Sequence, residues 1–296
     1  MDIASSSPFN GSGSLRIAIQ KSGRLSEGSL ALLRQIGLEF ETYRDRLFTR
    51  CRNMPVDILF LRDDDIPEYV RDGVADLGIV GSNVLDESSS PVNRLQLLDF
   101  GYCSLSIAIP DQSPITTVQD LEGRRIATSY PATLARFLKD QGISAESVLL
   151  KGSVEIAPAL KIADAVCDLV STGSTLRTNR LKILTTLAKC QAVLIGRGEP
   201  DPKKEDLVRK LLLRARSVQE ARRYKYIMFN APESALESIK KLAPGSRSPT
   251  VMPLAEPGFI AVHSMVLEEA FWDVVEQIRA CGGSSILVTP VEKFVR

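Results

Sequence analysis

The sequence predicts two α/β lobes around a cleft, followed by a small ferredoxin-like α+β domain. Three observations carry that reading. From Leu15 to Gly196 the chain repeats a short apolar strand, a small polar turn and an amphipathic helix, the pattern of right-handed βαβ units. From Tyr224 the order becomes β-α-β-β-α-β, the split ferredoxin-like motif. The length, 296 residues, is enough for two or three domains with a large core.

Composition narrows the function classes. Hydrophobic residues make up 44% and charged residues 25%, as in ordinary globular proteins. The net charge of +1 creates no overall field toward nucleic acid or membrane. There is no 18-residue apolar run. Residues 1–14 are rich in Ser and Gly, lack a signal peptide's charged start and apolar core, and are expected to be a disordered leader. The five cysteines, Cys51, Cys103, Cys167, Cys190 and Cys281, are widely spaced without a CxxC pair. That argues against a disulfide framework or zinc site and fits a reducing cytoplasm. His263 is the sole histidine, which disfavours Ser-His or Cys-His nucleophiles. Chemistry is therefore expected from carboxylates, cations, backbone amides and Mg²⁺.

Leu15 to Gln20 reads as the first strand, and Leu25 to Ile36 has helical spacing at Leu30, Leu33 and Ile36. The turn between them, Lys21-Ser22-Gly23-Arg24, is either an anion site or a βα turn with two solvated cations. Val56 to Arg62 is a buried strand. The carboxylates of Asp63, Asp64 and Asp65 then suit a helix start on dipole grounds, with Mg²⁺ ligation the less favoured reading. Asp76 to Gly81 is a third strand whose exit through Ser82 and Asn83 allows close approach of a ligand.

Leu105–Pro110 and Gly123–Thr128 are further strands. Ser129-Tyr130-Pro131 leads into a helix over 132–141, and Tyr130 either stacks on a base or packs on that helix. After the strand 147–150, Gly152 to Pro158 is expected to run into a helix with Glu155 in its first turn. Next comes the most informative stretch. The apolar run Ala165-Val166-Cys167 leads to Asp168, and after Leu169 and Val170, Ser171, Thr172, Ser174 and Thr175 place four hydroxyls around Gly173. A strand feeding such a turn aims amides and hydroxyls at one spot, which suits phosphate. The turn lacks the Lys of a P-loop, and its plainer reading is a Ser/Thr-rich cap.

The strand 191–196 is expected to return to the first set, followed by a helix around 205–216. Residues 15–102 and 190–221 then form lobe I, 103–189 form lobe II, and 222–296 form the third domain. Within that domain, Ala255-Glu256-Pro257-Gly258 is a turn signal between two strands.

Several motifs in fixed order resemble the ATP phosphoribosyltransferase family in its long form. They are Leu15 to Leu25, Arg62 to Pro67, Asp76 to Gly81, Arg125 to Pro131, Gly152 to Pro158 and Cys167 to Leu176. Lys225 to Met228 and Ser248 to Thr250 match as well. The resemblance covers nearly the whole chain from Leu15 and implies periplasmic-binding-protein-like lobes with an ACT-type third domain.

It implies attack by N1 of ATP on C1′ of phosphoribosyl pyrophosphate with Mg²⁺ present, the first step of histidine biosynthesis. It also implies inhibition by histidine, a cytoplasmic setting, and dimers or hexamers. Asp168, Leu169, Val170, Ser171, Thr172, Gly173, Ser174 and Thr175 would hold the phosphoribosyl group, with Glu155 and Asp168 on the ribose hydroxyls. Lys21, Ser22, Gly23, Arg24 and Tyr130 would bind ATP, Lys21 and Arg24 neutralising phosphates. Asn230, Ser246, Ser248, Thr250 and Ser285 would bind histidine. No metal ligand is assigned. Asn230 departs from relatives with an acid there, and Asp86 to Asn93 is expected to be a shortened surface loop. Two lobes around a cleft also suit a solute-binding or amino-acid-sensing protein without catalysis.

Overall fold

The computed structural model describes residues 13–42, 46–198 and 201–296. Of the leader expected over 1–14, residues 1–12 lie outside the described residues. The chain divides into two compact units. Unit one spans residues up to Arg34 and Leu38–Asp206, and unit two comprises Gln35–Gly37 and Leu207–Arg296. The division falls upstream of position 222, so most of the long helix before Tyr224 groups with unit two.

Unit one holds two sheets. The first contains β1 (Leu15–Gln20), β2 (Phe48–Arg50), β3 (Val56–Leu61), β4 (Leu77–Gly81), β5 (Asn93–Leu97) and β11 (Ala192–Gly196) in the order β2-β3-β1-β4-β11-β5. β1 lies parallel between β3 and β4, with Leu15 opposite Val56 and Ile17 opposite Leu77. The second contains β6 (Cys103–Pro110), β7 (Arg125–Thr128), β8 (Glu146–Leu149), β9 (Ala165–Val170) and β10 (Leu181–Cys190) in the order β10-β6-β9-β7-β8. β9 and β8 run parallel to β7, β6 is antiparallel to β9, and β10 is antiparallel to β6.

The sheets are therefore mixed, not wholly parallel. β11 re-enters the first sheet antiparallel to β4. Of the strands absent from the sequence reading, β2, β5 and β10, the first two are weakly patterned. β2 has three residues, and β5 carries Asn93, Arg94 and Gln96 on an exposed edge.

The helices of unit one are α1 (Arg24–Gln35), α2 (Ile66–Arg71), α3 (Ser82–Ser88), α4 (Pro131–Gln141) and α5 (Ser174–Thr178), and α6 (Glu205–Arg222) crosses into unit two. Two expectations are corrected. Asp86–Ser88 end α3, whose Val84 and Leu85 are buried, and are not part of a surface loop. Glu155 sits on a single 3-10 turn, Val154–Ile156, not at the head of an α-helix. Ser153 stands before it in the left-handed region (φ 49°) and Pro158 follows closely, so the chain turns without space for helix propagation.

Strand β6 shows how the second sheet is held. Leu105, Ile107 and Ile109 pack on one face with Ile126 and Leu134, while Ala108 packs on the other with Val166 and Leu176. This period of two buries both faces, and each large side chain withdrawn from water contributes about 1.5–3 kcal/mol. The consequence is positional. The carboxyl ends of β1, β3 and β4, and those of β7, β8 and β9, carry the polar turns singled out above.

Unit two contains β12 (Tyr224–Pro232), α7 (Leu236–Leu242), β13 (Thr250–Pro253), β14 (Phe259–Leu267), α8 (Phe271–Ala280) and β15 (Ser284–Pro290). The strand order β13-β14-β12-β15 is antiparallel throughout, the ferredoxin-like arrangement. Among the described residues no helix is long and apolar enough to cross a membrane.

Candidate active site

The turn after β9 forms one wall of the site. Gly173 (φ 69°) caps α5 in the left-handed region, which glycine reaches without steric cost. Thr172 and Ser174 share a hydroxyl contact of 3.0 Å. A pocket of about 180 Å³ is lined by Arg24, Glu155, Val166 and Asp168 to Leu176. The structure thus brings together the expected phosphate turn, both expected ribose carboxylates and one of the two cations.

Asp168 is partly buried and accepts the Leu169 N–H at 2.7 Å. Burial, and then the negative charge of Glu155, hold its carboxyl above the usual aspartate range, against the pull of the Leu169 N–H. Two carboxylates close enough to repel suit a ligand rich in hydroxyl donors.

Arg24 comes from the other sheet. It opens α1, directly after β1, and its Nη1 donates to Ser171 Oγ at 2.7 Å. This bond spans the cleft between the two lobes. Arg24 also lines a second cavity of about 360 Å³ with Gln20, Asp63, Asn83, Tyr102 and Cys103. Leu169 and Ser171 line both spaces as well, so the two adjoin.

The other expected residues are placed differently. Lys21, Ser22 and Gly23 form the turn before Arg24, with the Lys21 N–H donating to Leu61 O at 2.8 Å. They are not among the lining of either cavity. Tyr130 packs on the core of the second sheet, and its hydroxyl accepts from Asn83 Nδ2 at 3.3 Å. Burial chiefly raises the Tyr130 pKa, so the ring stays neutral and forms a wall of its lobe.

Two residues emerge only in three dimensions. Asp63 lines the second cavity, and its Oδ1 is buried without a hydrogen-bond partner among the described residues. Burial, then Asp64, push its carboxyl up to about 6, although the Gly81 N–H pulls the other way. In the sequence it looked like one of three interchangeable helix-start acids. Glu87 of α3 accepts the N–H groups of Ala132 (2.7 Å) and Thr133 (2.8 Å) at the start of α4. That bond pair also joins the lobes, and nothing in the spacing of the sequence signals it.

In unit two, Ser246, Ser248 and Thr250 lie on or just before the edge strand β13. Ser285 lies on the opposite edge, β15, with Asn230 on β12 between. Three strand spacings separate the edges, roughly 14 Å, so one chain does not bring all five around one small ligand.

The family assignment rests on the whole chain. Residues 62–217 match the family model described as ATP phosphoribosyltransferase, and residues 221–293 match that described as HisG, C-terminal domain. The chain is 45% identical to the ATP phosphoribosyltransferase of Cytophaga hutchinsonii over 282 residues, 95% of this chain and 99% of that protein. This chain belongs to the ATP phosphoribosyltransferase family. It is a pentosyltransferase that carries the phosphoribosyl group of phosphoribosyl pyrophosphate to N1 of ATP, the first step of histidine biosynthesis. Among solved structures it is similar to a chain of the ATP phosphoribosyl transferase (HisG:HisZ) complex from Thermotoga maritima. The TM-score is 0.60 at 27% identity, covering 68% of this chain and 96% of that one.

Proposed function

We propose that the transfer runs between these two cavities, with Arg24 at their shared wall. Its contact with Ser171 and its place in the lining of both spaces carry this reading. The amides and hydroxyls of Ser171 to Thr175 hold the 5-phosphate, and Glu155 and Asp168 hold the ribose hydroxyls. The adenine enters the second cavity, so that N1 faces C1′. As the C1′–O bond breaks, pyrophosphate leaves with the electron pair and C1′ gains oxocarbenium character. Arg24 neutralises the departing charge, assisted by Lys21 from the turn before it, outside the two linings. The protein holds N1 and C1′ in line and needs no covalent nucleophile.

The residues fit a Mg²⁺ that arrives on pyrophosphate and keeps most of its waters. Among the described residues no group of three His, Cys, Asp or Glu forms a protein cage for a metal. Glu155 and Asp168 would touch its water shell, and the ion would neutralise phosphate charge.

The third domain is proposed to bind histidine as inhibitor through Asn230, Ser246, Ser248, Thr250 and Ser285. Their separation on the sheet favours two incomplete half-sites, consistent with assembly into dimers or hexamers. A cytoplasmic setting fits five free cysteines.

The test is a three-component assay with ATP, phosphoribosyl pyrophosphate and Mg²⁺, followed by the absorbance of N1-substituted adenine. Pyrophosphatase is added to pull the reaction forward. Product forming only when all three are present supports the reading, and no turnover under these conditions overturns it.

A further inference from the structure

Cys103 and Cys190 are 87 positions apart by numbering, and the fold makes them direct neighbours. Cys103 opens β6, Cys190 closes β10, and the two are opposed in the antiparallel ladder. Opposed residues have Cα atoms roughly 4.5–5.5 Å apart and side chains on the same face. That separation lies within the about 4.4–6.8 Å spanned by disulfides. Both thiols are free and pack in the same core cluster.

Their place in the chain is equally specific. Residues 98–102 pass from β5 of the first sheet to β6 of the second, and Gln191 passes from β10 back to β11. These two segments are crossings between the lobes. They are already laced together, with Leu98 N–H donating to Ala192 O at 2.8 Å and Ala192 N–H to Phe100 O at 3.0 Å. Any rocking of one lobe on the other must twist this pair of strands. We propose that Cys103 and Cys190 form a reversible dithiol–disulfide pair that staples the two lobe crossings and slows turnover.

The chemistry balances with a peroxide as oxidant. One thiolate sulfur attacks a peroxide oxygen, the O–O bond breaks, and a sulfenic acid forms. The second sulfur attacks the sulfenic sulfur, the S–O bond breaks, and its proton leaves with the hydroxide as water. Two thiols and one hydrogen peroxide thus give one disulfide and two waters. The pair is suited to the first step. The Cys103 thiol, the Leu105 N–H and the Ser82 hydroxyl hold the Cys190 pKa below the usual thiol range, against burial and Asp86. Cys103 lines the second cavity, which admits a small oxidant. By contrast, burial pushes Cys51 up to about 11 and Cys167 up to about 12, so those thiols stay protonated. In a reducing compartment such a bond is transient and acts as a signal.

The test uses the full chain treated with hydrogen peroxide, alkylated, and digested without reduction. The expected product is a single cross-linked species joining the Cys103 and Cys190 peptides, lighter by two hydrogen atoms. Turnover should fall roughly tenfold, as for enzymes whose lobe motions set kcat, and return with dithiothreitol. Cys190→Ser should keep the reduced enzyme's activity and lose its peroxide sensitivity. Cys190→Ala repeats this test if the serine variant melts early, and Cys281→Ser should stay sensitive. Unlinked peptides in the oxidised wild type, or linked peptides with undiminished turnover, overturn the proposal. Activity of the reduced wild type reports separately on the transfer reaction.

Discussion

At the scale of single residues, Gly173 and Asp63 do opposite things to stability. Gly173 occupies φ 69°, and a Cβ there would meet Arg177 Nη1 at 3.3 Å. A β-branched side chain is strained in this backbone region by about 1–3 kcal/mol and obstructs the turn. Gly173→Val should therefore weaken phosphoribosyl pyrophosphate binding by about tenfold or more, measured by calorimetry, with the far-UV circular dichroism unchanged. Unchanged affinity would remove this turn from the phosphate site. Asp63 has a folded pKa of about 6 against an ordinary value of 3.8. Between about pH 4 and 6 the folded state binds more protons than the unfolded state, so stability from this group falls as pH rises through that window. The loss is on the order of 2–3 kcal/mol at pH 7. Asp63→Asn should melt higher than wild type at pH 7, with the gap closing near pH 4. A gap independent of pH would show that the carboxyl is not the cause.

At the scale of elements, helix α1 carries Arg24 and is placed by a missing side chain. A Cβ at Gly28 would lie 2.2 Å from the Phe100 ring. In an exposed helix Gly→Ala stabilises by about 1 kcal/mol. Here the ring must move, and overpacking of this kind costs about 1–3 kcal/mol. Gly28→Ala should therefore lower the denaturant midpoint, and it should also reduce turnover by displacing Arg24 from Ser171. A rise in the midpoint would mean that propensity outweighs packing. The same scale explains the errors of the sequence reading. Glu155 has the local look of a helix start, but Ser153 and Pro158 confine it to one 3-10 turn. Asp86 and Glu87 look like loop residues, yet Val84 and Leu85 are buried and keep α3 regular to Ser88. The strong strands, β1, β3, β6 and β9, were legible because both faces are apolar.

At the scale of the whole molecule, the proposed histidine response belongs to unit two. Asn230 sits on the central strand β12, opposite Ala261 and Ser284. Loss of its amide should remove a hydrogen bond to a charged amino acid, worth about 1.5–3 kcal/mol. Asn230→Ala should raise the histidine concentration for half-inhibition about tenfold or more. Activity without histidine should remain that of the wild type. An unshifted inhibition curve would place the inhibitor elsewhere.

The sequence by itself determined most of the strands and turns, the βαββαβ plan of the third domain, and the hydroxyl-rich turn from Asp168 to Thr175. Those features are local: apolar periodicity, a glycine and clustered hydroxyls lie within one short window. Tertiary structure alone decided which distant residues meet. Arg24 reaches Ser171 across the cleft. Glu87 caps α4, Asp63 is left with an orphan oxygen, and Cys103 faces Cys190. Each depends on strand order and register, which arise from simultaneous packing of both faces of a sheet and are not written in any one segment.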